Sequence, residues 1–174
     1  MNDNAYLMKK LPDRKSIRLK DYDYSTPDAY FVTICTKDKK PVLNKIVGTD
    51  VLGGPQVVMH KYGEIAENQI KEMSWFYENI YVDKCVIMPN HIHLILRVTD
   101  VQGGPPRTSV PTNNTISNFI GTFKRLCNRQ YGKNIWQYRS HDHIIRDECD
   151  YRKIWEYIDE NPIRWTCDRF YIEE

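Results

Sequence analysis

No stretch of this chain approaches the ~18 consecutive apolar residues that a membrane span requires, so membrane insertion through a helix is not expected. The N-terminal residues lack the apolar segment of a secretory signal, which makes the cytoplasm the expected compartment. There is no CxxC pair. The five cysteines, Cys35, Cys85, Cys127, Cys149 and Cys167, are scattered, which argues against a disulfide framework or zinc knuckle and leaves reduced thiols. Between Val101 and His141 there is no Asp or Glu at all, whereas Arg107, Lys124, Arg125, Arg129, Lys133 and Arg139 are present. A second basic cluster, Lys9, Lys10, Arg14, Lys15, Arg18 and Lys20, contains one acid, Asp13. Net charge is only +2. The uneven distribution, interleaved with Tyr131, Trp136 and Tyr138, suits a polyanion with stackable bases, although a solvated basic face is the commoner origin of such a run.

What is present is enough for one globular domain: 174 residues, 41% hydrophobic and 28% charged. Residues 1–25 read as a basic arm and 166–174 as a C-terminal tail, leaving the domain proper at 26–165. Tyr30–Thr36, Ile80–Met88 and His91–Val98 read as strands, the last two joined as a hairpin through Pro89-Asn90. Ile144-Ile145 belongs to another short strand. Helices are expected over Tyr62–Asn79, Asn113–Tyr131 and Asp150–Asn161, from apolar stripes at helical spacing that include Phe76 in the first and Phe123 in the second. Gly132 and Pro162 stop the last two. This order predicts an α+β domain, an antiparallel sheet covered by helices on one face, ferredoxin-like. Thr49-Asp50-Val51-Leu52-Gly53-Gly54-Pro55 recurs as Thr99-Asp100-Val101-Gln102-Gly103-Gly104-Pro105 with one difference. The two copies are read as related loop inserts near 48–57 and 99–112, where added length costs little stability.

The residues with the most chemistry are His91-Ile92-His93. Alternation along a strand points both imidazoles to one face, where they could share a metal ion. Taken alone, such a pair is more often hydrogen-bonded than metal-bound. On the last expected helix, Lys153, Tyr157 and Asn161 follow at i, i+4 and i+8 and so form one stripe, roughly opposite Tyr151 and Trp155. A tyrosine there is oddly placed for a core residue, and its hydroxyl is a poor nucleophile until a base or metal assists. Glu160 lies about 100° around the helix from Asn161. His141-Asp142-His143 is a second His-x-His with no comparable support.

The ordered set Thr33-x-x-Thr36, Met88-Pro89-Asn90-His91-Ile92-His93, Phe123-Lys124, Ile135-Trp136-Gln137, His143-Ile144-Ile145-Arg146 and Tyr157-Ile158-Asp159-Glu160-Asn161-Pro162 resembles the REP-associated tyrosine transposases. These belong to the HUH superfamily of single-strand DNA nucleases. The resemblance covers roughly residues 17–165 and implies an RRM-like HUH nuclease fold. It also implies that His91, His93 and Asn161 hold Mg²⁺ or Mn²⁺, that Tyr157 is the nucleophile, and that the substrate is single-stranded or hairpin-flanking DNA. A 5′-phosphotyrosine link would conserve the energy of the phosphodiester for rejoining.

DNA contacts are expected from Lys124, Arg125, Arg129 and Lys153, and from Arg14, Lys15 and Arg18 of the arm. His143 and Gln137 are expected to support the site, and Trp136 to pack. Monomer and homodimer both remain open. Two other readings stand beside the transposase: a non-catalytic single-strand nucleic-acid binder, and a metal-dependent nuclease that uses water.

Overall fold

The structure, a computed structural model, describes residues 28–48, 54–99 and 115–173. The basic arm with Arg14, Lys15 and Arg18, and nearly all of both Gly-Gly-Pro segments, lie outside the described residues. Six strands and three helices run in the order β1 (Asp28–Cys35), β2 (Asn44–Val47), β3 (Gln56–Met59), α1 (Lys61–Glu72), β4 (Ile80–Ile87), β5 (His91–Val98), α2 (Thr115–Tyr131), β6 (His141–Ile145) and α3 (Glu148–Glu160). Strands β4-β5-β1-β6 form one sheet in that order, all neighbours antiparallel, and β2-β3 form a separate two-stranded ribbon. The α+β class read from the sequence is thus the observed one.

The expected placement of the helices needs correction. Tyr30, Val32, Ile34, Ile92, Leu94 and Leu96 point to one face and pack with Ile70, Phe119, Ile120 and Phe123, so α1 and α2 cover that side. Phe31, Val86, Ile95 and Ile145 point the other way and pack with Ile154 and Ile158, so α3 lies on the opposite face. Strand β5 is therefore sandwiched, which is why its first six residues are all buried. Helix α1 also stops earlier than its apolar stripe suggests. It passes into a short 3-10 turn at Met73–Trp75, and Phe76 is 57% exposed rather than core. At the end of α2, Gly132 takes φ +71°, the left-handed conformation that closes a helix without a Cβ clash.

Helix α3 is fixed to the sheet at both ends. Asp147 caps its N-terminus by accepting from Asp150 N at 2.8 Å. The β4 ladder is irregular between Val82 and Lys84. There the Asp83 carboxylate takes two bonds of 2.9 Å from Arg97 and a 3.1 Å bond from the Tyr151 hydroxyl. Further along, Lys84 pairs with Asp159 at 2.6 Å and lies 4.4 Å from the Trp155 ring centre. Together these contacts set the rotation of α3 over β5. Among the described residues no helix is long and apolar enough to cross a membrane.

Candidate metal and nucleophile site

On the α3 face, His91 pairs with Cys35 and His93 with Thr33 across the β5-β1 ladder. Both imidazoles are completely buried, with ring centres 4.5 Å apart. Each ring is oriented by a neighbour. The Asn90 amide donates to Phe170 O at 2.7 Å and Lys39 O at 3.1 Å, which turns its Oδ1 toward His91 Nδ1 at 2.9 Å. An amide oxygen only accepts, so His91 carries its proton on Nδ1 and presents the Nε2 lone pair. That Nε2 is buried and has no hydrogen-bond partner among the described residues. His93 Nδ1 meets Thr33 Oγ1 at 2.9 Å, and its Nε2 faces the Tyr157 hydroxyl at 3.4 Å. Thr36 secures the preceding turn, donating from its hydroxyl to Lys40 O at 2.8 Å and from its amide to Asn90 O at 2.9 Å.

Burial holds both imidazoles neutral. It pushes His91 down to about 3, with help from the positive charges of Arg169 and Lys39. His93 is held well below its ordinary value by burial first and by His91 next, with Asp168 opposing. Neutral imidazoles are the form that binds metal. Tyr157 is 38% exposed. Its pKa is raised, by burial first and then by the Asp168 carboxylate, which outweigh the opposing Asn161 amide and Arg169, so the described residues together keep this hydroxyl protonated. Asn161, 3% exposed at the C-terminal end of α3, donates from Nδ2 to Asp168 Oδ2 at 3.3 Å. Its Oδ1 is left buried and unpartnered among the described residues. Two acceptors, one from β5 and one from α3, are thus buried without a partner among the described residues. Such groups are costly to bury without a ligand, and their donor set fits a divalent cation.

The fold has a counterpart among solved structures. A REP-associated tyrosine transposase bound to a REP hairpin superposes with a TM-score of 0.60 over 87% of this chain and 76% of that one, at 19% identity. In fold, this chain is REP-associated tyrosine transposase-like. By sequence, an uncharacterized protein of Haemophilus influenzae is 33% identical over 175 residues, spanning 92% of this chain and 94% of that protein. The two belong to one family. No family model matches the chain.

Within this transposase-like fold, four of the residues singled out from sequence, His91, His93, Tyr157 and Asn161, converge. Others do not. Lys124 is held away from solvent by bonds from its Nζ to Gln137 O at 2.8 Å, Tyr138 O at 3.3 Å and Arg139 O at 3.5 Å. Burial lowers its pKa to about 8. It clamps a loop in place of presenting a free charge. Truncation to Ala should therefore cost about 0.5–1.5 kcal/mol of stability in urea unfolding, the net range for a hydrogen bond whose partners can turn to water. Arg125 and Arg129 are exposed on α2, beyond the sheet from the histidines, and Lys153 is exposed one turn before Tyr157. His143 pairs with Asp150 at 3.0 Å at the sheet margin. Gln137 is tied to the fold through its backbone, its amide donating to Cys35 O at 2.9 Å. Trp136 is 2% exposed and packs against Phe123. Glu160 pairs with Arg164 at 3.0 Å.

Sequence reasoning missed three contributors. Asn90 and Thr33 orient the two histidines, and both were visible only as letters of the motif set. Asp168 falls in the segment read as a tail, which instead folds back over the site. Phe170 from that segment is 7% exposed, with its ring centre 4.6 Å from that of His91, and Trp165 lies 6.0 Å away.

Proposed function

We propose that this protein cleaves and rejoins single-stranded or hairpin-flanking DNA through a tyrosine nucleophile assisted by Mg²⁺ or Mn²⁺. The observation that carries the reading is that the Tyr157 hydroxyl lies 3.4 Å from His93 Nε2 and one helical turn from Asn161, while His91 Nε2 and Asn161 Oδ1 are buried without a partner among the described residues. His91, His93 and Asn161 would hold the ion. When bound, such an ion polarises a phosphoryl oxygen and offsets developing negative charge. The Tyr157 oxygen attacks the phosphorus, forming a 5′-phosphotyrosine bond as the bond to the 3′ oxygen breaks. Tyrosine gives up one proton and the departing 3′-hydroxyl takes one up. Because one phosphodiester replaces another, a second 3′-hydroxyl can reverse the step without an external energy source.

Positive charge close to the site supports a phosphate substrate. Lys39 Nζ and Arg169 Cζ lie 5.2 and 4.6 Å from the Phe170 ring centre, and both charges act on His91. The transposase of similar fold was solved with a REP hairpin, and hairpin DNA is accordingly the first substrate to try. Labelled hairpin DNA with single-stranded flanks, incubated with the protein and Mn²⁺, is expected to yield a protein–DNA adduct that survives denaturation and does not form when EDTA is present from the start. Cleavage without an adduct would instead make the protein a water-using nuclease. Binding without cleavage would make it a single-strand binding module.

A further inference from the structure

The chain turns back after α3 and brings one carboxylate to the histidines. A 3-10 turn at Trp165–Cys167 leads into Asp168, whose Oδ1 accepts the Phe170 amide at 2.6 Å. That local bond fixes the carboxylate plane and leaves Oδ2 facing inward. There Oδ2 accepts from the Tyr157 hydroxyl at 3.2 Å and from Asn161 Nδ2 at 3.3 Å. Ligand atoms of His91, His93 and Asp168 all lie within 4.8 Å of one another, the one such acid-histidine group among the described residues.

Charge makes this carboxylate consequential. Two neutral imidazoles and a neutral amide bring no negative charge to an ion, while Arg169 and Lys39 oppose any cation there. Mg²⁺ and Mn²⁺ favour hard, preferably anionic, oxygen donors, and ligand charge strongly tunes their affinity. We propose that Asp168 is a ligand of the divalent-ion site, making it a His₂–Asn–Asp centre to which the segment after the tyrosine helix contributes. The inference rests on the reading above that the histidine pair holds a divalent ion. It adds that the two orphaned acceptors are not the whole donor set. A bound ion would then tie residues 168–170 to β5 and to the end of α3, so the segment that covers the histidines is itself ordered by the ion.

The test is Mn²⁺ binding to the full chain without DNA, followed by loss of the free-ion electron paramagnetic resonance signal. Asp168→Asn keeps the shape and the Oδ1 acceptor for Phe170 N but removes the charge. It should weaken Mn²⁺ at least about tenfold, as should Asp168→Ala, whereas Tyr157→Phe should shift affinity less than about threefold. Asp168→Glu should recover part of the loss, and the thermal midpoint of Asp168→Asn in EDTA should match the parent, which separates a lost ligand from a lost fold. Asn and Ala variants that bind Mn²⁺ like the parent would overturn the assignment, as would a parent chain that binds none. The outcome is independent of the adduct assay. Mn²⁺ binding that depends on Asp168 without any adduct sinks the phosphotyrosine chemistry and keeps the ligand. An adduct with unchanged Mn²⁺ affinity in Asp168→Asn does the reverse.

Discussion

Tyr157→Phe should give a folded protein whose DNA adduct falls by at least about a thousandfold, since the variant has no oxygen with which to form the covalent bond. Little else should change. The phenyl ring keeps its edge contact with Phe31, at 6.0 Å between centres, and its place 5.3 Å from His93. The hydroxyl's two bonds are long, 3.4 and 3.2 Å, so their loss should cost about 1 kcal/mol or less of stability. Neighbouring tyrosines are poor substitutes. The Tyr151 hydroxyl is held by Asp83, and Tyr131 donates to Tyr62 O at 2.6 Å with burial raising its pKa. Tyr138 is 97% exposed, on the loop that Lys124 clamps. Tyr151→Phe should therefore retain the adduct. A denaturing gel of both variants against the parent decides the matter, and an adduct surviving in Tyr157→Phe would move the nucleophile elsewhere.

Mild acid should destabilise the metal-free protein. His91 has a folded pKa of about 3 against an ordinary 6.5. Between those values the unfolded chain binds the proton and the folded chain does not, so stability is complete above about pH 6.5 and falls as pH decreases toward 3. One pH unit well inside that window is worth about 1.4 kcal/mol per group, so lowering the pH from 6.5 to 4.5 should remove about 2 kcal/mol through His91 alone. His93 is shifted in the same direction, so its contribution adds to the loss. Urea unfolding in EDTA at several pH values measures this, and His91→Asn should flatten the curve. A protein equally stable at pH 7 and pH 4.5 would mean that the imidazoles are not held neutral by burial. Mn²⁺ should stabilise near neutral pH and lose its effect on acidification, because protons compete for the same lone pairs.

Much of this site was legible because both of its periodicities are simple. Period two placed His91 and His93 on one face, and the i, i+4 step placed Tyr157 beside Asn161. The side of the sheet taken by each helix was not legible. Strand β5 alternates apolar Ile92, Leu94, Leu96 and Val98 with His91, His93, Ile95 and Arg97, so the second face reads as polar and solvent-facing, with nothing to say that α3 covers it. The β2-β3 ribbon was missed because its strands have four residues each and β3 is largely exposed. Asp168 stood beyond Pro162 in a stretch with no periodicity, so only the backbone turn reveals where its carboxylate goes. Lys124 shows the limit of charge patterning: a basic run does not distinguish a side chain that meets phosphate from one that satisfies carbonyls.

The tether between β4 and α3 has a consequence for stoichiometry. Asp83 and Lys84 hold the tyrosine helix over the histidine strand of its own chain. His91, His93, Tyr157 and Asn161 are thus brought together within one chain, and under the proposed chemistry a single polypeptide is expected to supply the whole centre. Mixing a chain that lacks the histidines with one that lacks the tyrosine is then expected to leave the adduct absent, and its recovery in the mixture would mean that subunits share the centre.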